Sequence, residues 1–311
     1  MAGGSVQVRE SLAVFISVLL LTSTGVVDRW LAGPPEADDA SLVAEIRNRL
    51  VPPTPASVPY GLGYPDLDYW GQSEQVKYIQ ALTRNKTGGF FIETGAHDGE
   101  SMSNSLLLER KFGWQGVLIE PSRELYGRLR LRNRRAWTLE ACASHTGVPF
   151  QAMLRDQLKF GLNTVEDGLV SQLLSDQARK SLAPTQGIHK YWVKCYPLYS
   201  VLLALNRTSV DFFSLDVEGT EMGILAYMPW HLVDIKILLV ENFLSYFWNP
   251  QTDLMRWLME SHGYLAMRLQ HDWLFVRRDC EYAKDAEDII RRLRHQIAVS
   301  KENKVTDPFN D

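Results

Sequence analysis

Five short apolar runs recur down the chain: GFFIE at 89–93, GVLIE at 116–120, AWTLEA at 136–141, VDFFSLD at 210–216 and IKILLVE at 235–241. Each is continuous, the pattern of a strand buried on both faces, and such strands belong to parallel sheets covered by helices on either side. Helical stretches separate them at 101–112, 122–133, 199–206 and 219–228, and another follows the last run at 251–262. Strand, helix, strand in succession predicts an α/β fold with a doubly wound, mostly parallel sheet. Two later runs, 264–269 and 272–277, predict an antiparallel hairpin with His271 near its turn, and an amphipathic helix is expected at 284–300.

Composition narrows the function classes. At 45% hydrophobic and 23% charged residues the chain is an ordinary globular protein, and a net charge of -4 supplies no electrostatic reason to bind nucleic acid. No CxxC and no His/Cys cluster has metal-ligand spacing, so no metal is expected. Cys142, Cys195 and Cys280 are too few for a disulfide-built scaffold, and buried apolar thiols are the favoured reading. In an oxidising lumen the alternative is one disulfide plus one free thiol.

Residues 11–27, SLAVFISVLLLTSTGVV, are uncharged and long enough to reach the lower limit of a membrane span, within an anchor region taken as 1–30. An uncleaved anchor is favoured over a cleaved signal peptide, because the flank before the run is barely basic and no A-x-A site follows. A single N-terminal span most simply makes a type II membrane protein with its bulk in the lumen of the endoplasmic reticulum or Golgi, with endosome and plasma membrane as further stations. There the sequons at Asn85 and Asn206 would accept glycans. Proline and acids dominate 31–69, read as an extended stem with one short helix at 40–50. The folded domain is placed at 70–280, with an insertion at 150–190 suited to a lid or partner surface, and a C-terminal helix and tail at 281–311.

Ligands of open α/β sheets bind beyond the carboxyl ends of the strands, which directs attention to acidic strand ends. The first strand runs into Glu93-Thr94-Gly95-Ala96-His97-Asp98-Gly99. Gly95 permits a sharp turn and Gly99 a close approach to a ligand or to the sheet. The second strand ends at Glu120, whose carboxylate is suited to accept both hydroxyls of a ribose. A dinucleotide loop needs three glycines around a pyrophosphate, and Asp98 is expected to repel one, so a phosphate-free nucleoside cofactor fits better: S-adenosylmethionine. Either Asp216 or Glu218 is a candidate base for a methyl acceptor, with His97 as a second candidate. Glu218 is equally well read as a cap on a helix beginning at Gly219. The aromatic run 243–248 would line an acceptor pocket, contact a partner or pack over the core.

The first loop, the Glu120-Pro121 strand end and DVEGTE at 216–221 resemble the FkbM-type methyltransferases over residues 88–280. The resemblance implies a Rossmann-like methyltransferase domain. It implies S-adenosylmethionine bound through Glu93, Gly95, Gly99 and Glu120, with Asp216 and Glu218 facing the methyl group; Ala96, His97 and Ser144 are further candidate cofactor contacts, and His97 a further candidate catalytic residue. The implied acceptor is a small molecule or glycan, and O-methyl transfer is expected. Ser214 stands where that family carries a lysine, and WVKCYPLY at 192–199 lacks the aspartate of its T-L-D segment. A narrower resemblance, in FSLDVEG and CYPLYSVLLAL after an anchor and stem, is to the arthropod Star proteins. It implies the alternative of a trafficking factor that exports membrane-tethered growth-factor ligands on an inactive methyltransferase fold.

Overall fold

The structure is a computed structural model and describes residues 36–67, 71, 74–157, 162–165, 189–241, 251–269 and 272–305. The apolar segment 11–27, the run 243–248, His271 and most of the expected insertion lie outside the described residues. Among the described residues no helix is long and apolar enough to cross a membrane.

All five apolar runs form strands of one sheet: β1 (Phe90–Thr94), β2 (Gln115–Glu120), β3 (Trp137–Glu140), β8 (Ser209–Leu215) and β9 (Asp234–Val240). With the hairpin strands β10 (Tyr264–Leu269) and β11 (Asp272–Arg277), the order is β10-β11-β9-β8-β1-β2-β3. The five pair in parallel, and β11 joins antiparallel to β9, giving the α/β fold with a mostly parallel sheet that the pattern predicts. Alternation along β1 supplies both faces: Phe90 and Ile92 enter one apolar core, and Phe91 enters the other. From β1 the chain winds outward to β3, then returns to place β8 on the other side of β1. The switch in winding direction therefore falls between the carboxyl ends of β1 and β8, where such sheets open a crevice.

The helices are α1 (Ala40–Arg49), α2 (Gln75–Leu82), α3 (Leu106–Phe112), α4 (Arg123–Leu131), α5 (Leu198–Ala204), α6 (Glu221–Ala226), α7 (Gln251–Ser261) and α8 (Ala286–Val305). The expected helix at 101–112 starts later, at Leu106, because residues 101–105 are held as a loop by side chains described below. The sequence pattern gave no sign of α2, whose eight residues bury Val76, Ile79 and Leu82.

Two expectations are corrected. The stem expected at 31–69 is, over residues 36–67, part of the folded body, and its expected short helix is present as α1. Asp39 caps α1 by accepting from the backbone of Ser41 and Leu42 at 2.8 and 3.0 Å, and the helix buries Leu42 and Ile46 in the core. Val51 then exchanges two backbone hydrogen bonds with Thr138 at 2.9 and 3.0 Å, and the Arg135 guanidinium donates to Thr54 O at 3.1 Å. Proline removes donors, but it leaves carbonyls that arginines bind and apolar side chains that still favour burial.

The second correction concerns the insertion and the cysteines. The strands β4 (Cys142–Ala143), β5 (Phe150–Gln157), β6 (Leu162–Val165) and β7 (His189–Tyr196) make a second sheet in the order β4-β7-β5-β6. Cys142 and Cys195 face each other in register and form a disulfide, while Cys280 is free. Buried separate thiols, the favoured reading, is thus replaced by its alternative. Only Ala141 separates β3 from β4, so the bridge ties the second sheet to the chain just as it leaves the first.

Candidate functional site

A cleft of about 130 Å³ opens at the carboxyl ends of β1, β2, β8 and β9. Its walls include Glu93 to His97, Glu120, Cys142, Ala143, Asp216, Glu218 and Glu241, and among the described residues no lysine or arginine lines it.

The first loop is shaped by buried side chains. Glu93 accepts from the Asn104 backbone at 2.6 Å, from Ser103 Oγ at 2.9 Å and from Ser105 Oγ. Arg134, wholly buried, donates to Ser105 Oγ at 2.9 Å and pairs with Glu109 at 3.0 Å. Burial raises the Glu93 pKa against the opposing charge of Arg134. Glu93 therefore organises the floor of the cleft, and its lone pairs are largely spent on the loop 103–105. Gly95, at φ +79°, brings the loop against the β8 end so closely that a Cβ there would sit 1.7 Å from the Asp216 carbonyl oxygen. Ala96 is buried in the wall beside it.

Asp98 does not face the cleft, so it is not the pyrophosphate-repelling group the sequence suggested. It accepts from the backbones of Glu100 and Ser101 at 3.0 and 2.7 Å and pairs with Arg132 at 2.8 Å. Burial alone would raise its pKa, but His97, these backbone donors and Arg132 together hold it well below the usual carboxylate range. Gly99 is also off the cleft: a Cβ would meet Leu129 Cγ at 3.0 Å, so this glycine serves the packing of α4. Ser144 is the third residue not brought in, its Oγ donating to Val148 O at 2.6 Å within a turn, while its neighbours Cys142 and Ala143 line the wall.

Glu120 sits where expected. Its Oε2 accepts from His97 N at 2.9 Å and its Oε1 from Ser122 N at 2.8 Å, leaving each oxygen one further lone pair. Burial, only partly offset by these donors, lifts its pKa to about 7. His97 lines the cleft at φ +52°, with Nδ1 3.6 Å from Asp98 Oδ1.

Opposite this wall stand the acids of the β8 and β9 ends. Asp216 follows β8, its N–H donating to Thr94 O at 3.1 Å, and Glu241 follows β9, its N–H donating to Leu215 O at 2.9 Å. One carboxylate oxygen each from Asp216, Glu218 and Glu241 lie within 4.8 Å of one another. Burial raises all three, reinforced on Glu218 by the charges of Asp216 and Glu221 and on Glu241 by those of Asp216, Glu218 and Glu221: Glu218 reaches about 8, and Glu241 is held higher still. The capping alternative for Glu218 is not what the loop uses. Glu221, not Glu218, accepts from Val217 N and Gly219 N, both at 3.0 Å, and the helix begins at Glu221. Glu218 instead lines the cleft at φ +58°, in the left-handed region where a non-glycine side chain is strained.

Sequence reasoning missed Glu241 and Thr94. The signal for Glu241 was the one used for the other strands, an acid ending a buried run. Ser214, at the position where resemblance expects lysine, is buried and accepts from Asn104 Nδ2 at 3.1 Å. The sequon residues Asn85 and Asn206 are both exposed, on turns that precede β1 and β8, so both lie at the amino edge of the sheet, opposite the cleft.

Comparison with known proteins places residues 93–266, more than half the chain, in the Methyltransferase FkbM domain. No curated protein sequence matches the chain. Among solved structures it is similar to the methyltransferase FkbM from Methylobacillus flagellatus KT, at 11% identity and a TM-score of 0.36 over 76% of this chain and 58% of that one. It is also similar to an O-methyltransferase from Bacillus cereus in complex with SAH, at 15% identity and a TM-score of 0.33 over 77% of this chain and 92% of that one. A third similarity is to the precorrin-6y C5,15-methyltransferase from Geobacter metallireducens GS-15, at 11% identity and a TM-score of 0.34 over 70% and 97%.

Proposed function

The chain belongs to the FkbM methyltransferase family, and from that premise we propose that it transfers a methyl group from S-adenosylmethionine to a small-molecule or glycan hydroxyl at the carboxyl edge of its main sheet. The observation that carries this reading is the pairing of Glu120 on one wall of the cleft with Asp216 and Glu218 on the other, with no lysine or arginine lining it among the described residues. The residues present fit the cofactor. Glu120 keeps two lone pairs for a ribose diol, Gly95 lets the first loop close against the β8 end, and the acidic wall formed by the described residues suits a sulfonium rather than a phosphate. When bound, S-adenosylmethionine supplies an activated methyl carbon. The protein must align the acceptor with that carbon and take the acceptor's proton. Glu218, with a pKa near 8 and a buried Oε2 lacking a hydrogen-bond partner, is suited to the second task. Asp216 holds its position through the β1 backbone.

The test is calorimetry of the full-length protein with S-adenosylmethionine. The expected outcome is binding that Glu120→Ala abolishes. No binding at millimolar ligand would remove the methyltransferase reading. Full length matters, because a fragment starting at 70 would strip α1 from the core.

We further propose that the folded part lies in the lumen of the early secretory pathway, anchored by 11–27 as a type II protein. The Cys142–Cys195 disulfide supports this, since such bonds persist in oxidising compartments. The exposure of Asn85 and Asn206 on one edge, clear of the cleft, is consistent with glycans there. The Star-like alternative, export of membrane-tethered growth-factor ligands, differs in one outcome: Glu120→Ala would leave ligand export unchanged while abolishing cofactor binding.

A further inference from the structure

Asp216, Glu218 and Glu241 reach the cleft from two strand ends and one loop, and an oxygen of each lies within 4.8 Å of the others. Glu218 Oε2 and Glu241 Oε2 are shut off from solvent without a hydrogen-bond partner. A separate residue tells the same story: Thr94 is 1% exposed, lines the same cleft, and its Oγ1 is buried and unpartnered. Buried polar atoms in native proteins are almost always satisfied, so a hydroxyl, an imidazole nitrogen and two carboxylate oxygens left over in one cleft point to a ligand that meets them. Like charges this close ionise together only when a cation joins them. The three clustered acids offer only hard oxygens, and His97, whose Nδ1 also lacks a hydrogen-bond partner in the cleft, is not part of the cluster, which selects magnesium or manganese over zinc.

We propose that Asp216, Glu218 and Glu241 bind a divalent cation of the Mg²⁺ or Mn²⁺ class at the acceptor end of the cleft. Its role rests on the methyltransferase reading: a bound cation would hold and acidify the acceptor oxygen, and Glu218 would then serve as its ligand, replacing the direct base role it has in the cation-free site. Such a site departs from the expectation of no metal, which rests on spacing along the chain. The three ligands come from positions 216, 218 and 241, and only the adjacency of β8 and β9 unites them.

Electron paramagnetic resonance of the full-length protein titrated with MnCl2 tests the proposal. The expected result is one tightly held Mn²⁺ per chain, displaced by Mg²⁺, with affinity lowered by more than about tenfold in both Asp216→Asn and Glu241→Gln. Equal Mn²⁺ binding by wild type and both variants would overturn the site. A second measurement needs no variant: bound Mn²⁺ should broaden the S-methyl proton resonance of added S-adenosylmethionine, and sharp resonances with both ligands bound would also overturn it. Wild-type protein that binds S-adenosylmethionine but no Mn²⁺ at millimolar concentration would refute the cation site and leave the methyltransferase reading standing. Mn²⁺ binding without cofactor binding would do the reverse.

Discussion

Gly95 and Asp216 meet backbone to backbone: a Cβ at Gly95 would lie 1.7 Å from the Asp216 carbonyl oxygen, and Gly95 itself sits at φ +79°. The loop after β1 and the loop after β8 are thereby joined at the switch in winding, and both walls of the cleft depend on that contact. Gly95→Ala adds a methyl group where neither backbone can yield cheaply and where L side chains are strained. The expected cost is at least about 2 kcal/mol of stability, with loss of S-adenosylmethionine binding. Chemical denaturation and calorimetry of the variant measure both.

Glu120 should behave differently, because its side chain meets the ligand rather than the other loop. Glu120→Gln keeps the shape but loses the charge that strengthens hydrogen bonds to a ribose, worth about 1.5–3 kcal/mol. Cofactor affinity should fall by roughly tenfold to a hundredfold. An unchanged affinity would show that the ribose is not held there.

The acid-lined cleft makes stability depend on pH in an unusual direction. Folding raises Glu120 and Glu221 to about 7 and Glu218 to about 8 from an ordinary value of 4.5. Between that value and the folded pKa the native state binds more protons than the unfolded chain, so stability falls as pH rises. Without ligands, the melting temperature should be higher at pH 5 than at pH 8. In the absence of a bound cation, methyl transfer should run the other way, rising toward pH 8 as Glu218 ionises. Thermal melts and a pH–rate profile check the two signs separately.

Removing the Cys142–Cys195 bridge, which spans 53 residues, should cost about 4 kcal/mol by loop-closure entropy. The double variant Cys142→Ala, Cys195→Ala should unfold at lower denaturant, and reducing agent should lower the wild-type midpoint but not the variant's. Cys142 also lines the cleft, so cofactor affinity should drop with the bridge.

If the domain is luminal, glycosidase treatment should shift its mobility, with one step lost in Asn85→Gln and another in Asn206→Gln. Neither substitution should alter cofactor binding, because both residues lie at the opposite edge of the sheet. Protein protected from the glycosidase shift and open to protease from the cytosol would place the domain on the other side of the membrane.

Much of this was legible in the residue order because the determinants are local. An apolar run of five or six residues must be covered on both faces, whatever follows it, so the strands, their parallel pairing and the positions of Glu93, Glu120, Asp216 and Glu218 at strand ends followed directly. What the tertiary structure decided was orientation and company. Whether Asp98 or Ser144 faces the cleft depends on which donors surround it: Arg132 and the Glu100 and Ser101 backbones for one, the Val148 carbonyl for the other. The docking of 36–67, the pairing of Cys142 with Cys195 and the meeting of Glu241 with Asp216 join residues far apart in the chain. Contacts of that kind depend on which strands become neighbours, and no pattern read within one segment specifies them.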